Sequence, residues 1–598
     1  MRRRTLFSRG GDDLEGGLEQ AYGEGSGGPH PVGRRPILAG VAALAAGGIL
    51  TGLTAAQRQS SRNQPEPAVA HGTDGAVSTP DPIATEVGTQ VLEQGGNAVD
   101  AAVAIQLTLC VTKPDATGLG GGGFMVVYDA ERAEPYAIDG QVQAPSSAAS
   151  DRFEDVGSDV TESGLSVGVP GTPRMLDVAL DRWGSASLPE LIAPAISLAE
   201  GIPDVDADLE RTIDGNADRL SPEAEAIFSG LSEDDSLLQE DLSETLYWLS
   251  EDGLGAFYEG AIAEDIAATV QDHGGDLTEA DLAGYEATVD DPIVGRVNDC
   301  PCITAQPPSS GITVIQALKL LETLGAGELD RRSTDRYHAL LEATRLAYAD
   351  NWAHLGDASV VDVPTEGLLD ELYLSRRADG IESDVANRAV EAGDPWTFQD
   401  GGGDPSRERD RLPREGGTTH FSVADSEGNV VSCSSTLSMP FGSGIVVPGR
   451  GIVLSNSLTN FEFSSDGPNS VAANKRPVST LSPMIVLDDG EPILALGGSG
   501  GATIPSVVTQ ILQGVLAHGV DPATAIAEPR VFSGASTSVR WESTLPEDSR
   551  RGLDELGYET DDEPSDIGAI QALSIGEEYV GIADARGTGE AQAIPREE

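Results

Sequence analysis

Lysine is almost missing from this chain: Lys113, Lys319 and Lys475 are its only three, and arginine supplies the rest of the 37 cations that face 98 Asp and Glu. The net charge of -61 excludes nucleic acid as a default partner, because phosphate binding needs clustered cations. Cysteine is scarce too. Cys110, Cys300, Cys302 and Cys433 are too few to staple a chain of this size with a disulfide framework. Cys300 and Cys302 have no Cys or His nearby at ligand spacing, so they lack the remaining ligands of a metal site and read as two residues of one strand. Aromatics make up only 5% of the residues, so the core must lean on Val, Ile, Leu and Ala.

What is present is a body long enough for a very large domain or several, with 39% hydrophobic residues to fill it. The acids are spread among apolar periodic segments, which makes them a coat on a folded protein rather than a disordered tract. A dense carboxylate surface holds water and cations in high salt and repels itself in dilute buffer. The composition therefore suggests a salt-loving organism.

The N-terminus divides in three. Residues 1–33 are Gly-rich and mixed in charge, a disordered tail. Residues 34–58 hold Arg34 and Arg35, then an apolar run from Ile37 to Ala56, closed by Arg58. A run of that length can just cross a bilayer as a helix. The excess of Arg before it favours a body outside the cytoplasm, with a cleaved secretion signal as the other reading. Either way the catalytic part is expected at the extracellular face of the membrane or secreted. Residues 59–80, rich in Ser, Gln and Pro, read as a linker.

From Asp81 the chain is dense in periodic pattern. Helices are expected over 83–95, 98–109, 312–324, 338–355 and 504–518, with helical patterns dominating 172–271. Strands are expected over 124–128, 419–423, 430–437, 451–454, 484–487 and 492–496, and a hairpin over 570–583. The stretch 382–417 is polar, rich in Gly, Arg, Asp and Pro, and reads as exposed and mobile. A helix-rich first part and a strand-rich second part suit helices covering a sheet.

Three constellations compete for the chemistry. The Gly118–Gly123 cluster lacks both a preceding strand and a following Lys-Ser/Thr, so it is no phosphate cradle and reads as close backbone packing. Gly497-Gly498-Ser499-Gly500-Gly501 fits the G-x-S-x-G elbow, but the only later histidine is His518, inside the next predicted helix. Such a turn can instead aim backbone N–H groups at a developing oxyanion. The third is Gly416-Gly417-Thr418-Thr419-His420, at the junction of the polar stretch and the strand-rich region. Cutting before Thr418 would free an α-amine beside a hydroxyl nucleophile. An α-amine with a pKa near 8 can serve as general base without a histidine.

At this junction the sequence resembles the γ-glutamyltranspeptidase family. The resemblance runs from about Gly75 to Ala583. Its pieces are Gly95 to Ala102, Gly118 to Phe124, Val169 to Thr172, Ala256 to Tyr258, Pro307 to Gly311, Ala347 to Asp350, Thr418 to Val423, Phe441 to Val446, Asn474 to Pro477, Ser482-Pro483 and Gly500-Gly501. It implies an α+β fold, the four-layer αββα sandwich of the N-terminal-nucleophile hydrolases. The precursor would cut itself at Gly417–Thr418 into a large subunit, 81–417, and a small one, 418–598, that stay together. It implies Thr418 as nucleophile, Thr436 as the hydroxyl assisting it, Gly500 and Gly501 as oxyanion-hole amides, and Ser479 and Thr480 as holders of a substrate α-carboxylate. It implies no metal and no organic cofactor. The reaction passes an acyl group from Thr418 to water or an amine, with a small γ-glutamyl-type amide as substrate.

The departures from the family cluster where the γ-glutamyl head group is gripped. Gln141 stands for the Arg that pairs with the α-carboxylate, and Asn460 for the Asp that binds the ammonium. Ser438 and Ser457 stand for the Asn and Gln that help it. Losing a bidentate cation removes a strong contact. The loop between Asn460 and Lys475 is short, so the lid of many members is expected to be absent. Beside a divergent γ-glutamyl hydrolase or transferase, the alternatives are an acylase or poly-γ-glutamate-type amidase with a changed acyl group, and a surface binding protein with a dead site, against which the retained Thr418, Thr436 and paired glycines argue.

Overall fold

Strict alternation decides the strands that follow Gly417. In Thr418–Asp425, Phe421 and Val423 point one way while His420, Ser422 and Ala424 point the other. The partner strand sorts Val431 and Cys433 from Val430, Ser432 and Ser434 in the same way. One set packs on helices and the other faces a second sheet.

The computed structural model describes residues 66–153, 157–201, 205–233, 235–400, 416–463 and 467–596. Fourteen strands build two sheets: β1 (Ala68–Gly72), β2 (Gly75–Thr79), β3 (Gly122–Asp129), β4 (Glu134–Gly140), β5 (Thr288–Asp290), β6 (Ile293–Val297), β7 (Cys300–Thr304), β8 (Thr418–Asp425), β9 (Val430–Thr436), β10 (Met484–Asp488), β11 (Glu491–Ser499), β12 (Ala569–Ile575), β13 (Tyr579–Ala583) and β14 (Glu590–Ala593). One sheet runs β1-β13-β12-β11-β10-β7-β6 and the other β14-β2-β8-β9-β3-β4-β5. All their pairings are antiparallel.

Three cores define four layers. Helices Pro82–Glu93 and Ala98–Thr112 bury Val87, Val91, Val103 and Leu107 against Val77, Val127 and Val431 of one sheet. Helices Gly311–Thr323, Thr334–His354 and Ile504–Leu516 cover Met484, Val486, Leu494 and Ile570 of the other. Between the sheets lie Ala76, Val126, Ile303, Ala424, Val430, Ile485, Ala495 and Leu573. This is the expected αββα sandwich. Every residue of Ala98–Thr112 is buried, and its start is fixed by a capping box in which Asn97 and Asp100 satisfy each other's backbone.

The structure corrects several expectations. The linker expected over 59–80 ends early. Residues 68–72 pair with β13, and 75–79 sit fully buried between β14 and β8. Five residues carry too little period to read as a strand, and their partners lie hundreds of positions away. The strands at 134–140, 288–290, 293–297 and 590–593 were likewise not expected. Part of the mobile stretch is tied down: Arg345 donates to the Asn387 carbonyl, Arg377 to that of Glu391, and Gly393 N–H to Asp350. Its remainder, 401–415, lies outside the described residues, as do the tail 1–33 and the apolar segment 34–58. Among the described residues no helix is long and apolar enough to cross a membrane. Cys300 and Cys302 are neighbours on β7, as read, and all four cysteines are free.

Candidate active site

The glycine cluster 118–123 is a packing device. A Cβ on Gly121 would strike the Thr436 carbonyl, one on Gly123 the Ser434 carbonyl, and one on Gly122 the backbone of Gly140 and Val142. Strand β3 therefore presses closely on β9 and β4, and the registers put four residues on one rung. Thr418 pairs with Thr436, Thr436 with Gly122, and extending the Gly123–Gly140 pairing brings Gln141 level with Gly122. Gln141 thus lies three strands from Thr418, about 14 Å across the sheet.

At the head of that rung sits the bond expected to break. Thr418 Oγ1 lies 2.9 Å from Thr436 Oγ1. Thr436 Oγ1 donates to the Gly417 carbonyl at 2.5 Å and accepts from Ser438 N–H at 2.8 Å. A hydroxyl has one proton, and that of Thr436 is spent on Gly417. In the Thr418–Thr436 pair it is therefore Thr418 that donates, leaving its lone pairs free. The Gly417 carbonyl accepts a second bond, from Leu437 N–H at 3.0 Å. Two donors polarise the carbonyl immediately before a hydroxyl whose proton already points at an acceptor. Gly417 is needed there, since a Cβ would collide with the Met439 carbonyl. The roles of Leu437 N–H and of Thr436 toward Gly417 were not legible in the sequence. Only the Thr418–Thr436 register reveals them.

Segment 437–439 is locked from behind. Ser455 Oγ donates to the Leu437 carbonyl at 3.1 Å and sits 2.6 Å from Ser457 Oγ, and Met439 N–H donates to Asn456 Oδ1. Ser438 holds a left-handed φ of 80°, a conformation kept only under constraint. Asn460 ends the short helix Ser457–Asn460. Its carbonyl accepts from Asn469, whose Oδ1 in turn accepts from Val478 N–H, next to Ser479. The chain after Asn460 folds back, with Glu462 N–H donating to the Asn469 carbonyl and Phe463 stacked on Phe153 at 4.7 Å.

The other sheet brings the second half. Met484, four residues after Thr480, pairs with Leu496, four residues before Gly500. Ser479 is anchored by donation of its N–H to the Pro308 carbonyl and by Ser310 Oγ on its own carbonyl. Two contacts show where β11 points. Ser432 Oγ donates to the Leu496 carbonyl, and His420 packs on Gly497. On β8 and β9 the step from the Ser422–Ser432 pair to the His420–Ser434 pair leads toward Thr418–Thr436. Gly500 and Gly501 follow Gly497 in that same direction. Gly500 has φ +126° and Gly501 +58°, so their turn suits glycine and leads straight into the helix at Ile504. His518 lies past the far end of that 13-residue helix, about 20 Å from the turn at 1.5 Å per residue, so no Ser499–His518 elbow forms.

Gln141 is fully buried; its Oε1 accepts from its neighbour Val142 N–H. Beside it Arg476 pairs with Asp139 at 2.9 Å and donates to the Glu286 carbonyl. Burial pushes the Asp139 carboxyl up, and the Arg476 guanidinium pulls it part of the way back. That cation is thus already engaged.

His420 faces the other sheet between Ser434 Oγ, 2.8 Å from Nδ1, and Ser422 Oγ, 3.1 Å from Nε2. Complete burial pushes its pKa down to about 3. The ring is neutral at working pH and is no general base. Because the unfolded chain protonates this histidine near 6.5 and the folded one does not, its contribution is fully present above pH 6.5. It is lost as pH falls toward 3, at about 1.4 kcal/mol per pH unit. Between pH 6.5 and 5 the urea midpoint of wild type is expected to fall by the equivalent of about 2 kcal/mol more than that of His420→Asn. Equal falls would show that the histidine titrates normally.

With this geometry in place, comparison with known proteins decides the family. The Gamma-glutamyltranspeptidase family model matches residues 84–594. The chain belongs to that family. It is 41% identical over 540 residues to the glutathione hydrolase proenzyme of Bacillus subtilis strain 168, covering 88% of this chain and 92% of the relative. It is 30% identical to the acylase ACY 1 proenzyme of Pseudomonas sp. strain SE83, over 84% and 90% of the two chains. Among solved structures, cephalosporin acylase from Bacillus halodurans superposes with a TM-score of 0.80 at 25% identity, covering 90% of this chain and 99% of that one. The chain is thus similar both to a relative named a glutathione hydrolase and to proteins named acylases.

Proposed function

We propose that this γ-glutamyltranspeptidase family member is a threonine N-terminal-nucleophile amidohydrolase and acyltransferase of the glutathione hydrolase kind. The observation that carries the reading is the Gly417 carbonyl, held by Thr436 Oγ1 and Leu437 N–H beside the Thr418 hydroxyl. Thr418 Oγ attacks that carbonyl, its proton is relayed through Thr436 to the leaving nitrogen as the C–N bond breaks, and an ester and a free α-amine remain. Water then hydrolyses the ester, so that the chain up to Gly417 and residues 418–598 become separate polypeptides that stay together. In the mature protein the amine takes the proton of the Thr418 hydroxyl, which accepts an acyl group and passes it to water or an amine. Gly500 and Gly501 N–H groups stabilise the oxyanion, and Ser479 and Thr480 hold the substrate. N-terminal sequencing after Thr418→Ala substitution tests the reading. The proposal extends to a protein adapted to high salt and placed outside the cytoplasm, anchored through 34–58 or secreted.

A second reading has its own support. Gln141, Ser438, Ser457 and Asn460 are neutral, and the cluster beside them is apolar, with Val142, Leu458 and Phe461 buried together. Such surroundings suit an acyl group without a full zwitterion, so the enzyme is an acylase of altered acyl preference. Screening γ-glutamyl, glutaryl and poly-γ-glutamate substrates at molar and dilute salt separates the two. The double variant Gln141→Arg/Asn460→Asp is expected to raise kcat/KM on γ-glutamyl-p-nitroanilide about tenfold. A charge-assisted hydrogen bond contributes about 1.5–3 kcal/mol, part of it offset by burying the new guanidinium. An unchanged value would mean that the head group is gripped elsewhere.

A further inference from the structure

The nucleophile and the oxyanion turn belong to different sheets, so something must set their separation. On the first side is β8, which begins at Thr418 and carries His420 two residues on. On the second is β11, which carries Gly497 three residues before Gly500. The imidazole of His420 lies flat against Gly497: a Cβ added there would overlap ring atoms Cε1, Nδ1 and Cγ. The ring cannot swing away, because Ser434 and Ser422 hold its two nitrogens. Both hydroxyls belong to the nucleophile's own sheet.

We infer that His420 and Gly497 form a spacer that fixes the distance between Thr418 and the Gly500–Gly501 turn, making both positioning residues for acyl transfer. This rests on the reading of Thr418 as nucleophile and of Gly500 and Gly501 as oxyanion donors. The spacer has a specific signature. The Gly417 carbonyl is held by Thr436 and Leu437, which lie on or next to β9 in the same sheet as Thr418. Self-cleavage does not span the gap between sheets, whereas acyl transfer does. A change in sheet spacing should therefore slow the second and spare the first, since a shift of about 1 Å between reacting groups can cost 10²-fold in rate.

The test uses Gly497→Ala, His420→Asn, their double variant, and Gly498→Ala as control. In the control the added methyl meets Ile570 Cδ1 at 2.5 Å and the Ala569 carbonyl at 2.6 Å, not the ring. Self-cleavage is read on denaturing gels and acyl transfer as p-nitroaniline release from γ-glutamyl-p-nitroanilide. Gly497→Ala is expected to cut itself fully, lose about ten- to hundredfold in kcat and keep KM within about twofold. His420→Asn alone should lose kcat in the same way, because the shorter side chain lets the sheets approach, so the inference is still tested if Gly497→Ala does not fold. In the double variant the methyl fills the space the ring vacates, and most of the loss should be recovered; adding His420→Asn to Gly498→Ala should bring no such recovery. Wild-type kcat in Gly497→Ala or in His420→Asn would overturn the spacer. So would parallel loss of cleavage and turnover without rescue, which marks general destabilisation. Thr418→Ala separates this from the underlying reading: if that variant is uncut and inactive while Gly497→Ala is normal, only the spacer fails. If Thr418→Ala still turns over, the reading beneath it fails.

Discussion

Thr418→Ala is expected to run as one chain of 61.9 kDa where wild type runs as two fragments, with the second beginning at Thr418. Turnover of γ-glutamyl-p-nitroanilide should fall at least about 10³-fold, the scale on which loss of a nucleophile is felt. The size of the effect follows from one hydroxyl serving two reactions. In the precursor its proton points at Thr436 and its oxygen is free toward the Gly417 carbonyl. In the mature protein the same oxygen is the acyl acceptor, and the amine that activates it does not exist until the chain is cut. Alanine removes the oxygen from both steps while leaving β8 in place, because the neighbouring alternation of Phe421 and Val423 against the helices is untouched. An uncut chain that still hydrolyses amides would place the chemistry on another residue. Normal cutting of the variant would mean that Thr418 does not attack its own peptide bond.

Gly500→Ala should be nearly as damaging to turnover while leaving self-cleavage intact. Gly500 has φ +126°, a region open to glycine but costly for any residue with a Cβ. The added methyl would also meet Thr503 Oγ1 at 2.6 Å and Gly568 Cα at 2.8 Å. Gly568 cannot easily retreat: Arg530 donates to its carbonyl at 2.9 Å, and Arg530 is itself clamped by Asp584. The turn must therefore move, and its N–H groups lose their aim. Misplacing one oxyanion donor costs about 10²–10³-fold in kcat, with KM little changed because the ground-state amide makes weaker use of that donor. Stopped-flow acylation measures the loss directly. A variant with unimpaired acylation would show that the oxyanion is stabilised elsewhere, and failure to self-cleave would tie the turn to the first reaction as well.

The sequence by itself determined the strand that carries the proposed nucleophile. Gly-Gly before Thr-Thr-His, followed by alternation to a hairpin turn at Asp425–Asn429, marks a strand beginning at a cuttable bond, and the structure starts β8 at Thr418 itself. It also determined the buried helix expected over 98–109, through a composition with few polar residues; the structure carries it on to Thr112 and caps it with the Asn97–Asp100 box. The glycine cluster read correctly as backbone packing. These are short-range signals, carried by residues whose partners lie within a few positions or along one strand.

What only the tertiary structure decided depends on pairings hundreds of residues apart. Ala68–Thr79 looks like linker because five-residue strands have no period of their own; they become strands because β13, β14 and β8 supply hydrogen bonds on their edges. His420 reads as a strand residue beside the nucleophile, yet its neutrality and its seat on Gly497 come from the opposite sheet. The polar stretch before the cleavage site reads as free, but buried Arg345 and Asp350 and half-buried Arg377 use its carbonyls and N–H groups as partners. Backbone groups left unpaired in a core are costly, so distant segments are drawn in to satisfy them, and no local pattern records which segment that will be.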